Sequence, residues 1–360
     1  MQSGKKKVVV GMSGGVDSSV AACLLLEQGY EVIGVTMQIW QEEKAQAPTQ
    51  DGGCCGLSAV EDARRVAQVL GIPHYVMNFR EVFRQKVMEY FTSEYLKGQT
   101  PNPCIACNRY VKWEALLSRS LAIGADYIAT GHYGQILQLS NGRYTLGMSG
   151  TNKDQTYALY SLTQEQLSRT LMPLCRFDKK EVRRMAQAYG LPVAGKPDSQ
   201  EICFIPDGDY AGFIDREAGD AVPGPGNFVG ADGSILGRHR GITHYTIGQR
   251  RGLNLALGYP VFVTQIRPSA NEVVVGRAEE VMTKELTCSH LCHMGVEAFH
   301  SGDRFLAKVR YGHKGAYCRV ECVEEDLLRC IFDEPVRAVT PGQAVVFYQD
   351  HCVAGGGTIV

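Results

Sequence analysis

The first third of the chain alternates short apolar runs with segments whose apolar residues recur at helical spacing. Apolar runs bounded by turn residues predict strands, and the segments between them predict helices. Strands that alternate with helices pair in parallel, with helices on both faces of the sheet. In chain order the prediction is strand 7–11, helix 17–29, strand 31–38, helix 58–70, strand 73–78, helix 108–123 and strand 126–131.

The pattern changes in the second half. Residues 152–190 keep helical spacing, whereas residues 219–233 are rich in glycine and proline and are followed by short β-like runs. Strands of an antiparallel barrel are predicted beyond residue 286, ending in a glycine turn at 355–357. We predict an α/β protein with a parallel-sheet domain (1–204), a small, mainly β central domain (205–277) and a C-terminal antiparallel β-barrel (278–360). The remaining predicted elements are helices 153–162, 164–171 and 178–189, and strands 259–265, 272–275, 304–310, 316–323, 327–332 and 343–349.

The length and composition of the chain are typical of a protein with several globular domains. The chain has 360 residues, more than a single core of roughly 250–300 residues accommodates. Basic and acidic residues nearly balance, at 37 and 38, so a nucleic acid would have to be bound by local basic patches. Because no apolar run reaches about 18 residues and the N-terminal apolar segment is short, we expect a cytoplasmic protein with no membrane partner.

A glycine-rich loop joins the first strand to the first helix. Its sequence, Gly11-Met12-Ser13-Gly14-Gly15-Val16-Asp17-Ser18, allows successive backbone N–H groups to face inward at the positive end of a helix. That arrangement binds phosphate. The loop lacks the lysine and spacing of the Walker loop and the G-x-G-x-x-G of dinucleotide enzymes, so neither a GTPase nor an NAD enzyme is indicated.

The cysteines indicate reactive chemistry at two places. Thirteen cysteines is an odd number, which argues against a structural disulfide framework. Cys104 and Cys107 follow two prolines at a predicted helix start, where the helix end lowers a thiol pKa below about 8.5. Cys203 lies nearly a hundred residues later, so only the fold could bring it close to them.

The chain as a whole resembles the bacterial tRNA-specific 2-thiouridylases of the PP-loop ATP pyrophosphatase superfamily. The phosphate loop matches the PP-loop pattern Ser-Gly-Gly-x-Asp-Ser, and the other matching segments follow in order along nearly the whole chain. They are Thr100-Pro101-Asn102-Pro103 with Cys107-Asn108, 129–133, 153–157, Asp198-Ser199-Gln200-Glu201-Ile202-Cys203-Phe204, 245–252 and 341–343.

The resemblance implies a transferase that 2-thiolates the wobble uridine of the tRNAs for lysine, glutamate and glutamine. It implies ATP and Mg²⁺, with a cysteine desulfurase or a sulfur-relay protein as the sulfur donor. Cys107 would be the nucleophile and Cys203 the persulfide carrier. The ATP-binding residues would be Gly11, Met12, Ser13, Gly14, Gly15, Val16, Asp17, Ser18, Met37 and Gly131. The tRNA-binding residues would be Asn102, Pro103, Cys104, His132, Lys153, Asp154, Gln155, Arg310, Tyr311 and Gln343.

One position departs from several relatives, which carry aspartate where this chain has Cys104. Three thiols, Cys104, Cys107 and Cys203, could hold a 4Fe-4S cluster with one open iron. The cluster therefore stands as an alternative to a persulfide on Cys203 resolved by a disulfide with Cys107. Cys54 and Cys55 resemble a cysteine pair of many relatives, and no catalytic role is assigned to them.

Two basic stretches without carboxylates, 238–251 and 308–319, are candidates for phosphate neutralisation and base stacking. Two other functions compete. A PP-loop synthetase that adenylates a small molecule and accepts nitrogen would need no thiols. A non-catalytic RNA-binding protein would not need a complete phosphate loop.

Overall fold

The computed structural model describes residues 4–39, 57–151, 153–198 and 202–360. Cys54 and Cys55 lie outside these residues. The strands are β1 Lys7–Gly11, β2 Glu31–Gln38, β3 His74–Asn78, β4 Tyr127–Ala129, β5 Gln135–Gln138, β6 Tyr144–Gly147, β7 Thr170–Leu171, β8 Gly226–Val229, β9 Ile235–His239, β10 Phe262–Arg267, β11 Glu272–Gly276, β12 Met282–His293, β13 Arg304–Lys308, β14 Ala316–Glu324, β15 Leu327–Arg337, β16 Ala344–Gln349 and β17 Cys352–Ile359.

The helices are α1 Val16–Glu27, α2 Leu57–Leu70, α3 Arg80–Phe83, α4 Tyr90–Leu96, α5 Pro103–Ala106, α6 Leu117–Ala122, α7 Gln164–Ser168, α8 Lys179–Ala188 and α9 Tyr210–Ala218. Wide π-helical turns occupy Arg84–Glu89 and Cys107–Leu116. The chain divides into two compact units. The first comprises the described residues of 1–87, 104–208 and 351–353, and the second comprises 88–103, 209–350 and 354–360.

The first unit is built on a parallel sheet with strand order β3-β2-β1-β4-β7. All four neighbouring pairs are parallel, and β1 lies at the centre, with Val9 opposite Ile33 on one side and Ile128 on the other. Val8, Val9 and Val10 are fully buried, as expected for a strand covered on both faces. The α/β prediction is therefore confirmed, and the carboxyl ends of β1, β2 and β4 meet at one edge of the sheet.

Two predicted helices of this unit are wrong. Residues 153–162 form only a short 3₁₀ turn, Thr156–Leu159, because polar side chains at its start hydrogen-bond to nearby groups instead of continuing a helix. The segment 164–171 is split, since α7 ends at Ser168 and Thr170–Leu171 pair with β4 as the edge strand β7. The hairpin of β5 and β6, also in this unit, carries no strong sequence signal.

The second unit contains two apolar cores. A four-stranded sheet of order β10-β11-β8-β9 surrounds one core, which includes Phe228, Tyr245 and Val273. In the other core, buried residues alternate with less buried ones along strands such as β13, where Phe305 and Ala307 face inward. Its strands run β12-β15-β14-β13-β16-β17, and pairing of β12 with β17 closes a six-stranded antiparallel barrel.

The glycines predicted as a terminal turn lie inside β17. A Cβ atom on Gly355 would lie 2.2 Å from the Cys292 carbonyl oxygen, and one on Gly357 would lie 2.8 Å from that of Ser289. Glycine is therefore needed for the backbones of β12 and β17 to approach and close the barrel. In the described part of the chain, no helix is long and apolar enough to cross a membrane.

Candidate active site

The phosphate loop, Gly11–Ser18, lies at the carboxyl end of β1 and opens α1. Gly15 occupies the N-cap position, and no side chain of the described residues caps the helix there. The N–H groups of the first turn of α1 also lack partners within the helix, as at any helix start. The Ser13 and Ser18 hydroxyl oxygens lie 3.4 Å apart, and Ser18 Oγ accepts from the Ser13 N–H at 3.2 Å. The loop therefore combines N–H groups, hydroxyls and a positive helix end, which is the chemistry of a phosphate site.

Two glycines allow close backbone contacts around the loop. Gly14 has φ +66°, and a Cβ atom there would lie 2.3 Å from the Ala59 carbonyl oxygen of α2. Gly131 follows β4, and a Cβ atom on it would lie 2.7 Å from the Ser18 nitrogen. Met37 lies near the carboxyl end of β2 and is partly buried. The residues predicted to border the nucleotide thus lie along one edge of the sheet.

Asp17 does not cap α1. Its two carboxylate oxygens each accept from Lys179 Nζ at 2.7 Å, and Oδ1 also accepts from the Tyr133 hydroxyl at 2.8 Å. The Lys179 side chain is only 16% exposed. Burial, and then the negative charge of Asp17, raise the pKa of Tyr133, so its hydroxyl remains a donor. These contacts fix the Asp17 carboxylate beside the phosphate loop.

Asp198 is surrounded by cations. Lys179 and Arg183 each donate to its Oδ1 at 2.9 Å, and Lys153 donates to Oδ2 at 3.3 Å. Burial acts to raise the pKa of Asp198, but the hydrogen bonds and charges of Lys179 and Lys153 outweigh it and lower the pKa. Asp198 therefore remains ionised and links the segment before Cys203 to the cations near the phosphate loop.

The predicted tRNA contacts 153–155 make contacts within the protein. Asp154 accepts from the Ser149 N–H at 3.1 Å and from the Thr156 hydroxyl at 2.8 Å. Gln155 Oε1 accepts from the Tyr133 N–H at 3.0 Å, and the Gln155 N–H donates to the Tyr133 carbonyl at 2.9 Å. This segment therefore positions Tyr133, which in turn contacts Asp17.

The cysteine segment starts a helix, as its prolines predict. Pro103 is the first residue of α5, Cys104 is exposed, and Cys107 is partly buried at the first position of the π-helical turns. Cys203 is also partly buried. The ring of Phe204, the residue after Cys203, packs edge-on against Phe83 of α3 at 5.7 Å.

The helix that begins at Cys107 is joined to the segment after Phe83 by a cation–π contact. Lys86 Nζ lies 5.6 Å from the centre of the Tyr110 ring. The chain flanking Cys203 and the helix that carries Cys107 thus pack against the same short stretch of helix. Among the described residues, no group of three or more histidine, cysteine, aspartate or glutamate side chains is arranged to hold a metal ion.

His132 is held as a neutral imidazole. Burial, followed by the charge of Lys112, lowers its pKa well below the ordinary value. Its Nε2 lies 3.5 Å from Lys112 Nζ and its Nδ1 lies 2.7 Å from Thr130 Oγ1. An ammonium group has only donors, so Nε2 carries the lone pair and Nδ1–H donates to Thr130. His132 is therefore a neutral hydrogen-bonding group.

In the second unit, Gln343 contacts the segment that leads to the cysteines. Its Nε2 donates to the Thr100 carbonyl at 2.8 Å, and the Thr100 N–H donates to the Pro341 carbonyl at 2.8 Å. These bonds hold the backbone just before Asn102 and Pro103. Gln343 and the pair Asn102 and Pro103, all predicted to contact tRNA and far apart in sequence, are thus brought together.

Arg310 and Tyr311 lie in the turn between β13 and β14. Arg310 donates to the Arg337 carbonyl at 2.8 Å, and Tyr311 is 50% exposed. An exposed ring beside an arginine can stack on a base next to a phosphate contact.

Sequence reasoning did not identify Lys112, Lys179, Arg183 or Lys196 as members of the site. Lys196 donates to the Gly14 carbonyl at 3.1 Å and pairs with Asp62 at 2.8 Å. Single basic residues look like ordinary solvated positions in a sequence. The available signal was the position of Lys196, two residues before the motif that begins at Asp198.

Three domain families match consecutive parts of the chain. Residues 6–207 match the family described as tRNA methyl transferase HUP domain, 211–277 the tRNA methyl transferase PRC-barrel domain and 283–359 the aminomethyltransferase beta-barrel domain. Among solved structures, a 4-thiouridine synthetase–RNA complex with bound ATP aligns at 20% identity and a TM-score of 0.33. That alignment covers 60% of this chain and 51% of the other, a similarity too low to carry an argument.

Curated relatives match over the whole length. The tRNA-specific 2-thiouridylase MnmA of Lachnoclostridium phytofermentans is 62% identical, covering 99% of both chains. The protein of the same name from Acetivibrio thermocellus is 55% identical, again covering 99% of both chains. Identity of this size over the full length shows common family membership. The chain belongs to the tRNA-specific 2-thiouridylase family.

Proposed function

We propose that the protein is an ATP-dependent sulfurtransferase that 2-thiolates the wobble uridine of tRNA. The observation that carries this proposal is the 62% identity over 99% of both chains to a tRNA-specific 2-thiouridylase. The phosphate loop at the end of the central parallel strand also supports it, because no side chain of the described residues caps the helix that the loop opens. The anticodons of the lysine, glutamate and glutamine tRNAs are the proposed targets, and the cytoplasm is the proposed location.

In the first step, the uridine C2 oxygen attacks the α-phosphorus of ATP. An oxygen–phosphorus bond forms, the bond to the β-phosphate oxygen breaks, and pyrophosphate leaves. The phosphate loop amides and the Ser13 and Ser18 hydroxyls would hold the leaving phosphates. Met37 and Gly131 would border adenine and ribose. The hydroxyls together with Asp17 are oxygen donors that suit Mg²⁺, which would neutralise charge on the pyrophosphate.

In the second step, the terminal sulfur of a Cys203 persulfide attacks C2. The carbon–sulfur bond forms as AMP leaves with the former C2 oxygen. The Cys107 thiolate then attacks Sγ of Cys203, the persulfide S–S bond breaks, and its electron pair remains on the sulfur bound to uridine. Cys107 and Cys203 end as a disulfide, which an external thiol reductant reopens. A cysteine desulfurase or sulfur-relay protein would reload Cys203.

We favour the persulfide route over the alternative through an iron–sulfur cluster. A three-cysteine cluster needs Cys104, Cys107 and Cys203 gathered around one position. Within the described ranges these residues do not form such a group. We therefore assign the sulfur chemistry to the two partly buried cysteines and place the exposed Cys104 with Asn102 and Pro103 against the target base.

RNA binding would be shared along the chain. The proposed catalytic, central and barrel domains are 1–204, 205–277 and 278–360. Lys153 and His132 would contact tRNA through the first unit, where Asp154 and Gln155 would position the neighbouring segment, and Gln343 would contact tRNA through the second unit. Arg310 and Tyr311 would contact tRNA through the barrel. Because loop bases are weakly stacked, the uridine can be turned out into the site at modest cost.

The test is a reconstituted reaction with the full chain, ATP, Mg²⁺, unmodified tRNA and a persulfide donor. We expect release of AMP and pyrophosphate that depends on tRNA, and thiolated tRNA that is retarded in a gel containing an organomercury group. Cys203→Ala should abolish thiolation and leave tRNA affinity within about threefold. Cys175→Ala, at a partly buried cysteine of the same unit, is the matched control and should retain activity.

Release of AMP without tRNA, in the presence of a small acceptor, would instead indicate a small-molecule synthetase. Thiolation by Cys203→Ala at the normal rate would remove the persulfide assignment while leaving the adenylation step in place. Binding of tRNA with no AMP release under any condition would favour a non-catalytic RNA-binding protein.

A further inference from the structure

Lys112 is a half-buried cation that differs from the other lysines around the phosphate loop. Lys179 is paired with Asp17 and Asp198, and Lys196 is paired with Asp62. Among the described residues, by contrast, no carboxylate oxygen forms an ion pair with the Lys112 ammonium. Removing a cation from water without an anion is costly. A bound anion at this position would offset that cost.

The contacts of Lys112 with the described residues leave one N–H donor for such an anion. Lys112 Nζ donates to Asn108 Oδ1 at 2.8 Å and faces the lone pair of His132 Nε2 at 3.5 Å. Asn108 is fixed in this orientation because its Nδ2 donates to the Ala158 carbonyl at 2.8 Å. An ammonium has three N–H donors. Two neutral acceptors therefore orient the group and leave one donor for a ligand oxygen.

Two separate contacts place Lys112 beside the phosphate loop. Leu116, four residues further along the same helical segment, covers the start of the loop, since a Cβ atom on Gly11 would meet Leu116 Cδ2 at 3.7 Å. His132, which faces Lys112, directly follows Gly131, whose α-carbon packs against the Ser18 backbone. Lys112 thus lies on the side of the loop next to β4.

The π-helical turns also relate Lys112 to Cys107. In a π-helix, backbone bonds join residues five apart, so Lys112 lies one turn after Cys107, the first residue of this segment. The helix therefore carries, in order, the proposed nucleophile, the Lys112 ammonium and a residue that covers the phosphate loop. The ammonium lies between the groups proposed to act on the base and those proposed to hold the leaving phosphates.

We propose that Lys112 binds the α-phosphate of the nucleotide, the phosphate that becomes bonded to uridine and then leaves as AMP. This assignment rests on the proposed function. The phosphate loop holds the pyrophosphate portion, so the α-phosphate faces the cysteine helix. The Lys112 ammonium stabilises the charge that gathers on the α-phosphate oxygens during adenylation and on AMP as it departs.

The test measures binding of AMP, adenosine, pyrophosphate and tRNA separately, using calorimetry on the full chain. Lys112→Gln should weaken AMP binding about tenfold to a hundredfold, the size expected for losing one charged hydrogen bond. Adenosine, pyrophosphate and tRNA binding should stay within about twofold. Lys112→Arg keeps the charge and should recover most of the AMP affinity. The matched control is Lys86→Gln, an exposed lysine that contacts Tyr110 of the same helix, and it should bind AMP normally.

Three results would overturn the assignment. The first is normal AMP affinity in Lys112→Gln. The second is a loss confined to tRNA, which would make Lys112 an RNA phosphate contact. The third is an equal loss of AMP and adenosine in both Lys112 variants, which would reveal a structural role only. If the unaltered protein bound neither ATP nor AMP, the proposed function itself would fail, which is a separate outcome.

Discussion

The side-chain amide of Gln343 donates a 2.8 Å hydrogen bond to the carbonyl oxygen of Thr100. The two residues are 243 positions apart. Asn102 and Pro103, which come shortly after Thr100 in the chain, are proposed to meet the target base. Gly342, at φ +88°, packs against Thr100 as well. The segment that carries these proposed base-binding residues is therefore held by Gly342 and Gln343.

Gln343→Ala should impair thiolation more than tRNA affinity, because it releases the Thr100 backbone rather than removing an RNA phosphate contact. The lost hydrogen bond is worth about 1 kcal/mol, so we expect a drop in rate of roughly fivefold to tenfold. Single-turnover thiolation and filter binding of tRNA measure the two effects. The control is Gln349→Ala, at an exposed glutamine at the end of β16, the strand that begins directly after Gln343. Equal rates for both variants would contradict the positioning role.

Gly14→Ala should abolish ATP binding and destabilise the protein. The new methyl group would meet the Ala59 carbonyl oxygen at 2.3 Å in addition to the strain of φ +66°. Gly71 is a close control because its φ is also +66° but nothing lies within 4 Å of its Cβ position.

Gly71→Ala should lower the free energy of unfolding only by the cost of the left-handed conformation, about 1–2 kcal/mol. Gly14→Ala should lower it clearly more. Urea unfolding and ATP titration of both variants measure the difference. Similar losses in the two variants would show that φ, and not the contact with Ala59, determines the effect.

Stability should fall at acid pH through Asp198. Its pKa is lowered in the folded state from the ordinary 3.8, so its contribution is present above that value and is lost as the pH falls through the lower folded-state pKa. Asp198→Asn removes this contribution. The free energy of unfolding of the variant should therefore depend less on pH below about 4. Denaturant unfolding between pH 3 and 6 is the measurement, with Asp220→Asn, in an exposed turn, as control. An unchanged pH slope in Asp198→Asn would contradict the role given to its cations.

Arg310→Gln should weaken tRNA binding and reduce its dependence on salt. Each neutralised phosphate releases counterions, so losing one contact lowers the slope of log affinity against log salt by roughly one unit or slightly less. Arg329 is the matched control in the same barrel because Glu285 and Glu321 already pair with it. Arg329→Gln should leave the slope unchanged. A slope that Arg310→Gln does not alter would place the RNA elsewhere.

Local patterns in the sequence were sufficient to predict the strand, the glycine loop and the helix at residues 7–27. Each of these elements is determined by short-range effects: burial of successive valines, the backbone freedom of Gly14 and the run of apolar residues in α1, most of which are buried. The helix start at Pro103 was predicted for the same reason, since proline fits the first turn of a helix whatever surrounds it. The resemblance to a family also came from ordered motifs, which need no coordinates.

Contacts between distant residues could not be predicted in this way. Thr170 and Leu171 form a strand only because β4 offers them a partner, and Gly355 belongs to a strand because β12 approaches too closely for a Cβ atom. Lys112 and Lys179 look alike in the sequence, yet Lys179 is paired with two carboxylates, whereas the contacts of Lys112 among the described residues are with Asn108 and His132. Hydrogen bonding and charge pairing depend on distances of a few ångströms, which tertiary packing alone sets.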